Sequence, residues 1–207
     1  MPRTDNKTAQ RSSLIPIVAK TFAELGYRRT TTVELAKRCK VQEPILYRLW
    51  KDKKAMFLAS VDFVYESSAA TWSALVGGSK DPRGGAGRLL DYEVRHHGEF
   101  GLYRIVFAAL TESDDPDISR AVADMYKRFH RFVTAQVAAH RKGSSGRLEP
   151  SDELAAWGFV GLGTIANVIR EFGLATAAER ARLFVEVGRT LLDGRARASG
   201  KHLEGAS

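Results

Sequence analysis

The sequence predicts an all-α fold of about nine helices, with a small N-terminal three-helix module followed by a larger helical one. Three observations carry this. Apolar residues recur at three- and four-residue spacing through most of the 207 residues. Stretches rich in Gly, Pro and Ser interrupt that spacing at intervals. No segment shows the apolar/polar alternation of a half-buried strand, and no internal repeat is visible.

Residues 1–10 are polar and read as a flexible tail. Helical spacing starts at Arg11, with Leu14, Val18, Phe22 and Leu25 on one stripe and Gly26 as the stop. Thr31 and Thr32 can each cap the short helix Val33–Cys39, which turns Leu35 and Ala36 inward. Lys40 and Val41 make a turn. A second short helix covers about 42–50, with Pro44 tolerated in its first turn and Ile45, Leu46 and Leu49 facing inward. Asp52 opens a longer helix through Met56, Phe57, Val61 and Val64 to about Leu75. A break over 77–82, extended by Gly84 and Gly85, precedes helices at 86–97 and 100–110. Asp114-Asp115-Pro116 opens a helix to about Lys142, and Gly143–Gly146 reads as a flexible loop. Further helices cover Asp152–Phe172, ended by Gly173, and Ala177–Arg195. The last residues, 199–207, read as a second flexible tail.

Charge is unevenly placed. The net charge is +8, and residues 1–56 hold 13 Lys and Arg against 5 Asp and Glu, so the remaining residues balance. A basic module joined to a neutral one implies a polyanion at one end only. The single cysteine, Cys39, excludes an internal disulfide, fits a reducing cytoplasm and sits at an apolar helix position. The longest apolar-rich stretch, 154–169, is too short and too polar for a membrane span. No nucleophile elbow, phosphate loop or metal-ligand set is present, so neither an enzyme nor a cofactor is expected. His96 and His97 are adjacent and cannot share one metal from a helix.

Residues 32–50 are the most informative. They form a helix, a tight turn and a second helix, a unit whose second helix can enter the DNA major groove. Opposite its apolar face, that helix carries Gln42, Glu43, Tyr47 and Arg48. Arg48 can fork onto guanine, Gln42 or Glu43 can read adenine or cytosine, and Tyr47 can donate to a phosphate. Lys51, Lys53 and Lys54 follow at a helix start, where free N–H groups favour an anion, and Thr31 or Thr32 can touch a phosphate as well. A protein-binding module of the same shape would carry an acidic or truncated second helix, whereas Glu43 is the one acid here.

Residues 14–65 resemble the TetR-type repressors. Phe22, Ala23, Gly26 and Tyr27, then Thr31 and Thr32, then Leu35 and Ala36, fall at that family's spacing. So do Val41, Leu46, Tyr47, Trp50, Lys53 and Met56, and residues 41–53, with Pro44, look closest to the tetracycline-repressor branch. The resemblance implies a helix-turn-helix DNA-binding domain over 11–56. It places Glu43, Pro44, Tyr47 and Arg48 on recognition positions, Lys53 on a phosphate-contacting lysine and Thr32 on the cap of the second helix. Lys40 stands where the family's turn usually has Gly, which implies a left-handed non-glycine residue. Ile45 replaces a smaller or polar residue, and Gln42 replaces a Ser or Thr cap.

The resemblance also implies that residues 57–198 bind a small effector among central helices and dimerise through the last two long ones. The helix Asp152–Phe172 is apolar nearly all round, so both its sides call for cover. Trp157, Gly158, Gly161 and Ile165, with Phe184 and Leu191 of the last helix, are the expected dimer contacts. Phe63, Tyr92, His96, Phe100, Tyr103, Phe107, Tyr126 and Phe129 are the candidate lining of a largely apolar effector pocket. The expectation is a cytoplasmic, ligand-responsive repressor that binds a palindromic operator as a dimer. Activation in place of repression stays open.

Overall fold

A computed structural model describes residues 3–77, 83–144 and 148–196. Nine helices are present among them. These are α1 (Arg3–Arg29), α2 (Thr32–Cys39), α3 (Glu43–Leu49), α4 (Lys53–Gly77), α5 (Arg83–His96), α6 (Tyr103–Leu110), α7 (Pro116–Arg141) and α8 (Asp152–Glu171). The ninth, α9, runs continuously through Ala177–Leu183, a π-type turn Phe184–Gly188, and Arg189–Asp193. Two-residue strands, Leu148–Glu149 and Arg195–Ala196, pair antiparallel. The expected break over 78–82, loop residues 145–146 and tail 199–207 lie outside the described residues.

Helix boundaries differ from expectation at several places. Helix α5 starts at Arg83, so Gly84 and Gly85, expected to extend the break, lie inside it. Helix α1 starts at Arg3, inside the segment expected to be a flexible tail; at the end of that stretch Gln10 contacts Arg48 of α3, and Arg11 contacts Trp50 just after α3. Gly26 breaks α1 as expected (φ 74°), but the chain then resumes a helical turn to Arg29. Helix α6 starts at Tyr103 instead of Phe100, because Gly98 and Gly101 adopt left-handed backbone (φ 69° and 67°) and hold the preceding residues in turns. Helix α9 stops at Asp193, because Gly194 takes φ 64°.

The chain forms two compact units, Met1–Leu75 with His96–Phe129, and Val76–Arg95 with His130–Ser207. In the first, one apolar core joins Val18 and Phe22 of α1, Leu35 of α2, Leu46 of α3, Phe57 and Val61 of α4, Ile105 of α6 and Ile118 of α7. Phe57 meets Phe22 edge-on at 5.0 Å and Tyr27 at 4.8 Å. Cys39 is buried in the same core, and burial pushes its thiol pKa up. Asp115 caps α7 by accepting from the Asp117 and Ile118 N–H groups.

In the second unit, Leu90 of α5, Leu162 and Ala166 of α8 and Phe184 of α9 pack together. Among the described residues, one buried cation ties this unit. Arg141, at the end of α7, donates to the carbonyls of Leu191 (2.7 Å), Leu192 (2.9 Å) and Pro150 (2.7 Å) and to Asp152 Oδ1 (2.9 Å). It thereby closes the unsatisfied carbonyl end of α9 and holds the first residue of α8. Arg141→Ala strands these acceptors and is expected to cost about 3 kcal/mol in urea unfolding. Arg141→Lys, which lacks the planar fork, recovers only part of it.

Candidate nucleic-acid interface

Helices α2 and α3 owe their form to local chemistry. The Thr31 side chain caps α2 by accepting from the Glu34 N–H at 3.2 Å. This corrects the expectation that Thr32 is the cap; Thr32 is the first helical residue, and its hydroxyl points across to α3. Lys40 closes α2 in the left-handed region (φ 54°, ψ 40°), as the missing turn glycine implies. Helix α3 has only seven residues, too few to persist alone. Burial of Leu46 (0% exposed) and Leu49 (4%) contributes roughly 2 kcal/mol each and supplies what the short helix lacks.

That burial fixes the other face. Gln42, Pro44, Tyr47, Arg48 and Lys51 are exposed. Gln42 sits at the N-cap without a side-chain capping bond, so its amide is not used by the helix. The Thr32 hydroxyl donates to Glu43 Oε2 at 2.6 Å, and the Tyr47 hydroxyl donates to Thr32 Oγ1 at 3.3 Å. One chain of hydrogen bonds therefore sets the start of α3 against the start of α2. Arg48 Nη2 donates to Gln10 Oε1 of α1 at 2.7 Å. The Arg11 guanidinium lies 5.5 Å from the Trp50 ring centre.

Two lysines expected to face phosphates have protein partners. Lys53 Nζ donates to the carbonyls of Tyr27 (3.1 Å) and Thr30 (3.2 Å) and lies over the Tyr27 ring at 4.5 Å. Lys54 pairs with Asp117 (2.8 Å) and Asp115 (3.2 Å), and these hydrogen-bonded carboxylates hold its pKa well above the usual lysine value. Asp52 Oδ1 accepts from the Ala55 N–H at 2.7 Å, so a carboxylate already uses a donor at the start of α4. The sequence carries no signal for the two carbonyls that receive Lys53, because they come from a turn 23 and 26 residues away.

The candidate effector residues spread more widely. Phe129 packs against Trp72 (5.4 Å), another aromatic of the middle helices, and against Tyr65 (5.1 Å), which lay outside the expected lining. Tyr103 meets Phe107 at 5.7 Å, and Phe63 and Tyr126 flank the first unit's core. Phe100 is 76% exposed, and exposed His96 bonds Glu99 at 2.9 Å. Tyr92 lies in the second unit, half-buried. Among the candidate dimer residues, Trp157, Gly161 and Ile165 are exposed on α8. Gly158 faces Leu191 of the same chain so closely that an added Cβ would come within 2.8 Å of it, and Phe184 is buried in its own core. Among the described residues, no group of three His, Cys, Asp or Glu is placed to hold a metal, and no helix is long and apolar enough to cross a membrane.

Comparison with known proteins agrees with this geometry. Residues 19–60 match the family model of bacterial regulatory proteins, tetR family. No curated protein sequence matches the chain. Among solved structures, a TetR-family regulator from Cytophaga hutchinsonii shares 14% identity at TM-score 0.74, covering 93% of this chain and 98% of its own. One from Chloroflexus aurantiacus shares 17% identity at TM-score 0.72, covering 93% and 100%. A transcriptional regulator from Saccharomonospora viridis, solved in complex with choline, shares 14% identity at TM-score 0.72, covering 89% and 96%. These features define a helix-turn-helix module at the N-terminus of a largely helical chain. Residues 19–60 are similar to the N-terminal module of the tetR family, and the chain as a whole has the fold of TetR-family regulators.

Lys40 pays for its left-handed backbone, so Lys40→Gly is expected to raise stability by about 1 kcal/mol in urea unfolding. An unchanged or lowered midpoint would show that the turn tolerates Lys without strain.

Proposed function

We propose that the chain is a non-catalytic, ligand-responsive repressor that acts in the cytoplasm, binds a palindromic operator as a homodimer and is released by a small, largely apolar effector. Residues 11–56 read the DNA, and residues 57–198 bind the effector and dimerise. One observation carries this reading. Helix α3 buries Leu46 and Leu49 and presents Gln42, Tyr47 and Arg48 outward, within a segment holding 13 Lys and Arg against 5 Asp and Glu. Arg48 suits guanine O6 and N7, Gln42 suits adenine, and Tyr47, Thr31 and Lys51 suit phosphates. Ile45 is half-buried, leaving part of its side chain for a thymine methyl. Lys53 keeps a third ammonium hydrogen that a phosphate can take while it holds the two carbonyls.

Dimerisation is supported by α8. Leu154, Trp157, Ile165 and Phe172 repeat along one exposed stripe, at 47–72% exposure, which is unusual for large apolar side chains. A second copy laid against it covers the stripe and gives two reading heads for two half-sites.

Effector control is supported by contacts within the first unit. Arg28 bonds Glu112 at 2.7 Å, and Lys54 bonds Asp115 and Asp117, so both ends of the α6–α7 corner are tied to the reading head. Arg128 of α7 also pairs with Asp62 and Glu66 of α4. An effector that prefers one position of α7 therefore biases the position of α4 and the head. The Saccharomonospora viridis regulator, which is similar in fold, is solved in complex with choline, and this supports a small-molecule effector here.

A band-shift assay with the DNA upstream of the chain's own gene is expected to show retardation that weakens as salt rises. Tyr47→Ala with Lys51→Ala is expected to weaken it by about tenfold or more. No retardation at low salt would remove the DNA-reading role. Sedimentation is expected to give twice the 22.8 kDa chain mass, falling to one chain on Ile165→Lys. A wild-type chain sedimenting singly would remove the dimer.

A further inference from the structure

We infer that Gln10 is a positioning residue that holds Arg48 ready for a guanine, and that the turns of α1 before Leu14 are part of the DNA-facing surface. The inference rests on the reading of α3 as a DNA-reading helix. An exposed arginine samples many rotamers, and fixing it on a base costs side-chain freedom. The bond to Gln10 Oε1 limits that freedom before DNA arrives.

The chemistry of the partner is the telling detail. Elsewhere in the same unit, Arg28 pairs with Glu112, Arg38 with Glu24 and Glu34, and Arg128 with Asp62 and Glu66. Each of those cations is neutralised by a carboxylate. Arg48 is held by an uncharged amide, which takes one N–H and leaves the guanidinium's charge and its other donors available. An amide there orients the side chain without cancelling its attraction to DNA.

The same stretch of α1 extends the cationic edge. Arg11, beside Gln10, rests on the aromatic face of Trp50 and is exposed, so its charge is also uncancelled. Lys7 is exposed one turn earlier, at the i, i+4 spacing that puts it on Arg11's side of α1. Arg48, Arg11 and Lys7 thus continue the reading surface along α1, where a duplex docked on α3 offers the phosphates flanking the contacted base pair.

The test uses the full chain and a short duplex enriched from a randomised pool on the wild-type protein. Affinities are measured for every single base-pair substitution of that duplex and over a salt series. Arg48→Ala is expected to lower the preference at one G·C pair by about tenfold or more. Gln10→Ala is expected to lower the preference at that same pair by about fivefold and no other, with no added effect in the Arg48→Ala background. Lys7→Gln is expected to reduce the salt slope by about one and to leave every base preference unchanged. If Gln10→Ala leaves that preference intact, or weakens all duplexes alike, Gln10 does not act through Arg48. An unchanged salt slope in Lys7→Gln would remove α1 from the interface. If no duplex is enriched by the wild-type chain at low salt, the DNA-reading assignment of α3 itself falls, a result distinct from both.

Discussion

Burial of Leu46 and Leu49 is the constraint from which the exposed face of α3 follows. A seven-residue helix has no stability of its own, so α3 exists only while those two side chains fill the core formed with α1, α2 and α4. With them inside, helical geometry leaves Tyr47 and Arg48 outside, and the extended backbone of Gln42 turns its amide out as well. Core packing and surface chemistry are therefore one choice. Any sequence change that rotates α3 to protect a different apolar pair also rotates the polar set away from a partner.

Polar contacts refine the placement that packing makes possible. Thr32 links the first turns of α2 and α3 through Glu43, and Tyr47 joins the same chain of bonds. Lys53 fastens α4 to the end of α1 by bonding the Tyr27 and Thr30 carbonyls. Cations held by carboxylates, such as Arg28 and Lys54, serve the unit's own cohesion. Arg48, Lys51, Arg11 and Lys7 are exposed, and none of the salt bridges described involves them; the same holds for Lys20, Arg29, Lys37 and Lys40, so uncancelled positive charge is spread over the N-terminal segment and includes the exposed face of α3.

Much of this was legible in the sequence. The spacing of Leu14, Val18 and Phe22, of Leu35 and Ala36, and of Leu46 and Leu49 indicated which faces turn inward, because helical periodicity is a local property. The left-handed turn at Lys40 was implied by the resemblance to TetR-type repressors, whose turn usually has Gly at that position. What escaped depends on contacts between residues distant in the chain. The polar turns before Arg11 gave no apolar period, and their helical form is matched by bonds from Gln10 and Arg11 to residues near 50. Thr31 and Thr32 are chemically equivalent caps until the backbone decides between them. Lys54 looked like a phosphate ligand until Asp115 and Asp117, some sixty residues on, were placed beside it. Gly158 suggested close approach of a partner, whereas its near neighbour is Leu191 of the same chain.

The central claim is that the exposed face of α3 sits in a major groove. Methylation protection by dimethyl sulfate tests it most directly, since guanine N7 lies in that groove and adenine N3 in the minor one. The account predicts guanine N7 protection in two patches about one helical turn or a multiple of it apart, lost when Arg48 is truncated. Protection confined to adenine N3, or no protected guanine on DNA that the chain demonstrably retards, would contradict it.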